Sequence, residues 1–165
     1  GNQSYYKGTD VLVDAIALLP KEIQDQVTTT IVGQTPDDYL KTLQEKAVGL
    51  DIKFIPKFVP DDVLNGIILE SDVIVLPYRE ISQSGVLLLV LYFERPIICS
   101  GLPSFKETLE GYNSHLFFEK DSPKDLARVI AGMVSEPNLD ATDVQSLKKK
   151  YSWENIAQMV GDYVQ

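Results

Sequence analysis

A doubly wound α/β sheet, three layers deep with helices on both faces, is the fold class this sequence predicts, and three observations predict it. Short β-rich runs alternate with helical patterns from one end to the other, the order that builds parallel strands joined by crossover helices. Val73-Ile74-Val75-Leu76 is continuous, apolar and mostly β-branched, as a central strand covered on both faces must be. Thr35-Pro36-Asp37-Asp38 and Ser122-Pro123-Lys124-Asp125 each set a hydroxyl, a proline and carboxylates at a helix start, where a cap, a fixed φ and negative charge are all favoured.

The elements follow in order. After Lys7-Gly8, Val11, Leu12, Ala15, Ile16 and Leu19 recur at helical spacing until Pro20 stops them. Val27 to Gly33 is a β-branched strand closed by glycine. A helix with Thr35 as N-cap carries Tyr39, Leu40, Leu43 and Ala47, and Ile52 to Ile55 is a strand stopped by Pro56. Asp61 to Glu70 is amphipathic. Gln83 to Phe93 holds too many leucines for one stripe and predicts a helix buried all round. Pro96 to Cys99 and His115 to Phe118 are two further strands around a helical turn near Phe105 to Leu109. Leu126, Val129, Ile130 and Met133 mark the next helix, and a last one capped by Ser152 presents Trp153, Ile156 and Met159. The chain opens on a loop and a helix, so in a sheet ordered 3-2-1-4-5-6 the first, central strand is missing. Strands 2 and 4 are then expected to pair directly, or an edge to be covered by another molecule.

Composition narrows the class of partner. With 165 residues the chain suits one domain, and 24 acidic against 15 basic side chains leave a net charge of −9. That balance argues against a nucleic-acid backbone or an anionic membrane as the main partner. The longest apolar run, Gly85 to Phe93, is far short of the ~20 residues that span a bilayer. One cysteine, Cys99, allows no internal disulfide, and with a single histidine, His115, no soft-metal cluster is expected. The expected setting is reducing and cytoplasmic.

In open α/β sheets ligands bind beyond the carboxyl ends of the strands, where strand order reverses. Three segments fall there. Lys7, at the entry to the first helix, could neutralise a phosphate or be an ordinary solvated lysine. Gln83-Ser84-Gly85-Val86 opens the apolar helix after strand Val73–Leu76; its amides, glycine and hydroxyl could cradle a phosphate, or Ser84 could be a plain N-cap and Gly85 a packing contact. Gly101 to Glu107 offers a carboxylate, Glu107, able to accept hydrogen bonds from sugar hydroxyls or simply to face water.

Lys7-Gly8, Ile31-Val32-Gly33, Phe58-Val59-Pro60-Asp61-Asp62, Ser71 to Tyr78, Gln83 to Val86, Phe93 to Ile98 and Tyr151-Ser152-Trp153-Glu154 occur in the order and spacing of one family. Over nearly its whole length the chain resembles the C-terminal, donor-binding domain of the family 4 retaining glycosyltransferases of GT-B fold. The resemblance implies a Rossmann-like domain spanning 1–165 that binds a nucleoside-diphosphate sugar, without metal or cofactor. Its partner would be an N-terminal acceptor domain that this sequence lacks. It implies transfer of a hexose to a glycan or lipid-linked acceptor in polysaccharide synthesis near the inner membrane face, with the fragment alone inactive. Lys7 matches the family lysine that stabilises the leaving diphosphate, with Gly8 beside it. The arginine expected a few residues earlier is absent, since Asn2, Gln3 and Ser4 stand there. The family's paired glutamates fall on Ile81 and Leu89, leaving Glu80 as a neighbouring catalytic candidate. Gln83, Ser84, Gly85 and Val86 match a subgroup whose helix amides hold the distal phosphate, and Glu107 matches a glutamate after the next strand. The alternative is a non-catalytic protein-interaction module whose donor site has decayed.

Overall fold

The computed structural model describes residues 2–81, 84–110 and 116–136. Five short parallel strands alternate with helices. They are β1 (Thr29–Val32), β2 (Ile52–Ile55), β3 (Ile74–Leu76), β4 (Ile97–Ser100) and β5 (Phe117–Phe118). Between and around them run α1 (Thr9–Ala17), α2 (Lys21–Gln24), α3 (Asp37–Lys46), α4 (Asp61–Glu70), α5 (Gly85–Tyr92), α6 (Pro103–Thr108) and α7 (Pro123–Ser135), with a 3-10 turn at Tyr5–Lys7 before α1. The predicted helix beyond Ser152 and His115 itself lie outside the described residues.

The strands form two sheets. β1 pairs in parallel with β2, Thr29 opposite Ile52 and Val32 opposite Ile55. β3, β4 and β5 form the second sheet, with Ile74 opposite Ile97 and Cys99 opposite Phe117. β1 and β3, which direct pairing of strands 2 and 4 would join, belong to different sheets. Direct pairing is therefore not observed. What joins the halves is α1. Its Val11, Leu12, Ala15 and Ile16 pack into the large core over β3–β5 with Leu126, Val129 and Ile130 of α7, while Val13 packs with Ile31, Leu43 and Ala47 on the other side. A helix buried on two sides cannot be left by either half without exposing apolar surface at roughly 25 cal/mol per Å².

Two local expectations are corrected. Thr35 does not cap α3: its hydroxyl donates back to the Gly33 carbonyl at 2.8 Å, and Pro36 occupies the N-cap position. Side-chain bonding to a carbonyl two residues back competes with capping for short hydroxylated residues. Helix α5 is not buried all round, for Leu87, Val90 and Leu91 are buried while Leu88 and Tyr92 face outward. The other end of the domain obeys the pattern, since Ser122 Oγ accepts from the Asp125 N–H and caps α7.

Candidate functional site

The carboxyl ends of β1 and β3 are bridged by residues 2–8. The Gln3 N–H donates to the Gln34 carbonyl at 2.7 Å and its Nε2 to the Val32 carbonyl at 2.7 Å, tying the segment to the end of β1. The Arg79 N–H donates to the Tyr6 carbonyl at 2.7 Å, tying it to the end of β3. Gly8 then enters α1 at φ 62°, the left-handed region, pressed so closely on β3 that an added Cβ would lie 1.9 Å from the Pro77 carbonyl oxygen. Gly8 is thus a buried packing position, held by backbone contact with Pro77. A cavity of about 270 Å³, lined by Asn2, Gln3, Ser4, Gln34, Thr35 and Pro36, opens beside this bridge and carries no charged side chain.

Lys7 is half-buried, and among the described residues its ammonium has no carboxylate partner. Nζ stands 5.7 Å from the centroid of the Tyr78 ring, within cation–π range. Burial lowers its pKa below the ordinary lysine value. Tyr78 is itself buried, with its ring against Tyr6 and Phe105. Burial raises the Tyr78 pKa, while a side-chain hydrogen bond with Ser84 works the other way. Through Tyr78, then, the structure brings together Lys7 and the start of α5, two segments far apart in sequence.

Ser84 is the N-cap of α5, its Oγ accepting from the Leu87 N–H at 3.1 Å, while its carbonyl accepts from Leu88. Among the described residues the N–H groups of Gly85 and Val86 have no acceptor. A Cβ on Gly85 would meet nothing within 4 Å, so this glycine opens onto space, and the packing explanation for it fails. The first turns of α1, α2, α3, α4 and α7 all carry Asp or Glu, whereas those of α5 and of the short α6 carry none. The positive pole of α5 therefore has no counter-charge within its own first turn. Ser104 Oγ donates to the Ile81 carbonyl at 2.9 Å and pins the loop leading to α5 onto α6.

The other candidates lie apart from this pairing. Glu80 and Glu107 are exposed side chains, the second on α6, and Gln83 lies outside the described residues. Sequence reasoning missed the ionic cluster around Arg79. Its Nη1 and Nη2 donate to Asp10 Oδ1 and Oδ2 at 2.8 Å each, and its Nε donates to Asp121 Oδ1 at 2.5 Å. Tyr39 donates its hydroxyl to Asp10 Oδ1 at 2.9 Å. Burial works to raise the Asp10 pKa, yet the bonds from Arg79 and Tyr39 and the guanidinium charge outweigh it and hold the carboxyl low. Burial and the bond to Asp10 push Tyr39 up to about 12. No group of three or more His, Cys, Asp or Glu that could hold a metal ion occurs among the described residues. No helix there is long and apolar enough to cross a membrane.

Parallel strands flanked by helices, with a cation and open helix amides at their carboxyl ends, define a Rossmann-like domain of the kind found in GT-B glycosyltransferases. The chain belongs to the family described as glycosyl transferases group 1, whose model matches residues 1–136. Two curated relatives from Xanthomonas campestris pv. campestris, each named a GDP-mannose:glycolipid 4-beta-D-mannosyltransferase, are 28% and 33% identical over 161 residues. Both alignments cover 93% of this chain and 44% of the relative. The chain thus spans less than half the length of those relatives. The crystal structure of Anabaena HepE in complex with UDP superposes with a TM-score of 0.82 at 18% identity, over 99% of this chain and 46% of that one.

Proposed function

We propose that this chain is the donor-binding, C-terminal domain of a hexosyltransferase, residues 1–165 forming one unit that works opposite an acceptor domain. The carrying observation is the half-buried Lys7 ammonium set over Tyr78, next to an acid-free helix start; among the described residues the ammonium has no carboxylate partner and two of the helix amides have no acceptor. A nucleoside diphosphate supplies the missing negative charge. Its distal phosphate accepts from the Gly85 and Val86 N–H groups and lies against Lys7, while Ser84 keeps the helix end in shape. When the bond between the sugar's anomeric carbon and the phosphate oxygen breaks, charge builds on that oxygen, and preorganised donors stabilise it more than they stabilise the ground state.

The names of the curated relatives support a GDP-hexose donor and a glycolipid acceptor, and the nucleotide complex of HepE supports the same class of ligand. The family resemblance implies retention at the anomeric carbon, whereas those relatives are named for a β-linkage. The anomer of the product, read by NMR coupling constants with the complete enzyme, decides between them. A second reading, a nucleotide-free interaction module, is favoured by one observation: Arg79 is engaged by Asp10 and Asp121, so it does not replace the arginine absent from the Asn2 to Ser4 stretch.

Calorimetric titration with GDP, UDP and their sugars separates the two. Donor binding predicts saturation at millimolar or lower nucleotide and its loss in Lys7→Ala. No saturable heat with any nucleotide supports the interaction module, and binding indifferent to Lys7→Ala overturns the Lys7 site.

A further inference from the structure

The 3-10 turn that carries Lys7 contains no fully buried residue, and its ring contact, Tyr6 edge-on to Tyr78, does not by itself fix the backbone. Arg79 does. Its N–H takes the Tyr6 carbonyl and its Nη1 takes the Tyr5 carbonyl at 2.6 Å, so this one residue grips the two peptide units immediately before Lys7. The guanidinium also lies 3.9 Å from the centroid of the Tyr5 ring. Its far side is fixed in turn, by the bidentate bond to Asp10 at the start of α1 and by Asp121 in the turn before α7. Nε, Nη1 and Nη2 thereby all donate inside the protein, and the side chain is only 13% exposed. Four of its five N–H donors are thus committed within the protein, which leaves one Nη2 hydrogen for anything else.

We propose that Arg79, oriented by Asp10 and Asp121, is a positioning residue that acts on the bound nucleotide only through Lys7, by holding the turn that suspends the ammonium over Tyr78. The inference rests on the donor-site reading given above. The planar fork is essential to it: a lysine at position 79 could neutralise Asp10 but could not reach the two aspartates and the Tyr5 carbonyl together. Asp121 offers a gentle way to loosen the clamp. It sits at φ 60°, a left-handed conformation that asparagine also accepts, and its side chain is 45% exposed. Asp121→Asn therefore removes a charge without asking the turn to refold.

The test combines calorimetry with the side-chain NMR signal of Lys7 in this chain, using GDP and UDP as probes. Wild type, Asp121→Asn and Arg79→Lys are compared, each with and without Lys7→Ala. Asp121→Asn and Arg79→Lys are expected to weaken nucleotide binding by about threefold to tenfold and to move the Lys7 signal toward that of a solvent-exposed lysine. In the Lys7→Ala background the same two substitutions should change affinity no further, because the path they act through is gone. Losses that add fully to Lys7→Ala, or wild-type affinity in both clamp variants, overturn the proposal while leaving the donor site standing. A wild-type chain that binds neither nucleotide, or a Lys7→Ala chain that binds as wild type, overturns the donor site and this role with it.

Discussion

Gly8→Ala should destabilise the fold by about 2–5 kcal/mol, and two separate costs make up that figure. A side chain at φ 62° costs roughly 1–2 kcal/mol, because Cβ crowds the following carbonyl in the left-handed region. The new Cβ would also stand 1.9 Å from Pro77 O and 3.0 Å from Pro77 C, well inside van der Waals contact. Those are backbone atoms at the end of β3, so space opens only if α1 shifts as a body. Overpacking of this sort costs about 1–3 kcal/mol. For a domain of this size each kcal/mol moves the thermal midpoint by about 2–4 °C, giving a fall of about 4–20 °C. Thermal and urea unfolding followed by circular dichroism measure it. A midpoint within about 2 °C of wild type would refute the claim that α1 and β3 touch through this glycine.

Gly85→Ala makes the opposite prediction. The added methyl meets no atom, and alanine is the better helix former, so stability should hold or rise by up to about 1 kcal/mol. Nucleotide affinity should nonetheless drop, and an unchanged dissociation constant would mean that phosphate does not sit on that amide. Lys7 sets a pH limit. Its folded-state pKa lies below its unfolded value, so stability rises as pH climbs through the interval between them, while the ammonium needed for phosphate is lost across that same interval. Affinity for GDP should therefore fall on the alkaline side with a midpoint below 10.5 in wild type and persist to higher pH in Lys7→Arg. A limb at or above 10.5 in wild type would show that Lys7 is not the group responsible.

Much of the fold could be read from local chemistry. Val73 to Leu76 and Pro96 to Cys99 predict buried strands: β3 falls within the first, with only Leu76 fully buried, and β4 overlaps the second and runs one residue further to Ser100, buried throughout. The helix starts at Asp37, Asp61 and Pro123 carry the acids that the dipole favours, and all three are found. Position-specific details were harder. A hydroxyl before a proline predicts a cap at Thr35 as well as at Ser122, and only tertiary placement sent the first to Gly33 instead. Lys7 and Ser84 were both legible as candidates, yet their link through Tyr78 was not, because it depends on a tyrosine that ends a strand and turns inward. The Arg79 cluster was invisible for the same reason, since Asp10 is 69 residues away from it and Asp121 42. A hint existed in Arg79 itself: an arginine directly after the Pro-Tyr that follows β3 stands at the carboxyl end of a strand, where a ligand site forms, whether or not it touches the ligand.

The net charge of −9 gives the site its character, because an anion must approach against the field of the whole domain and be held by a few well-placed donors. The most direct test of that account is an NMR titration with GDP that follows backbone amides and the Lys7 side chain together. The account predicts saturable shifts concentrated at the Gly85 and Val86 amides and at Lys7, all three fitting one dissociation constant. Shifts centred on residues elsewhere, or Gly85 and Val86 amides that stay still while nucleotide saturates, would contradict it.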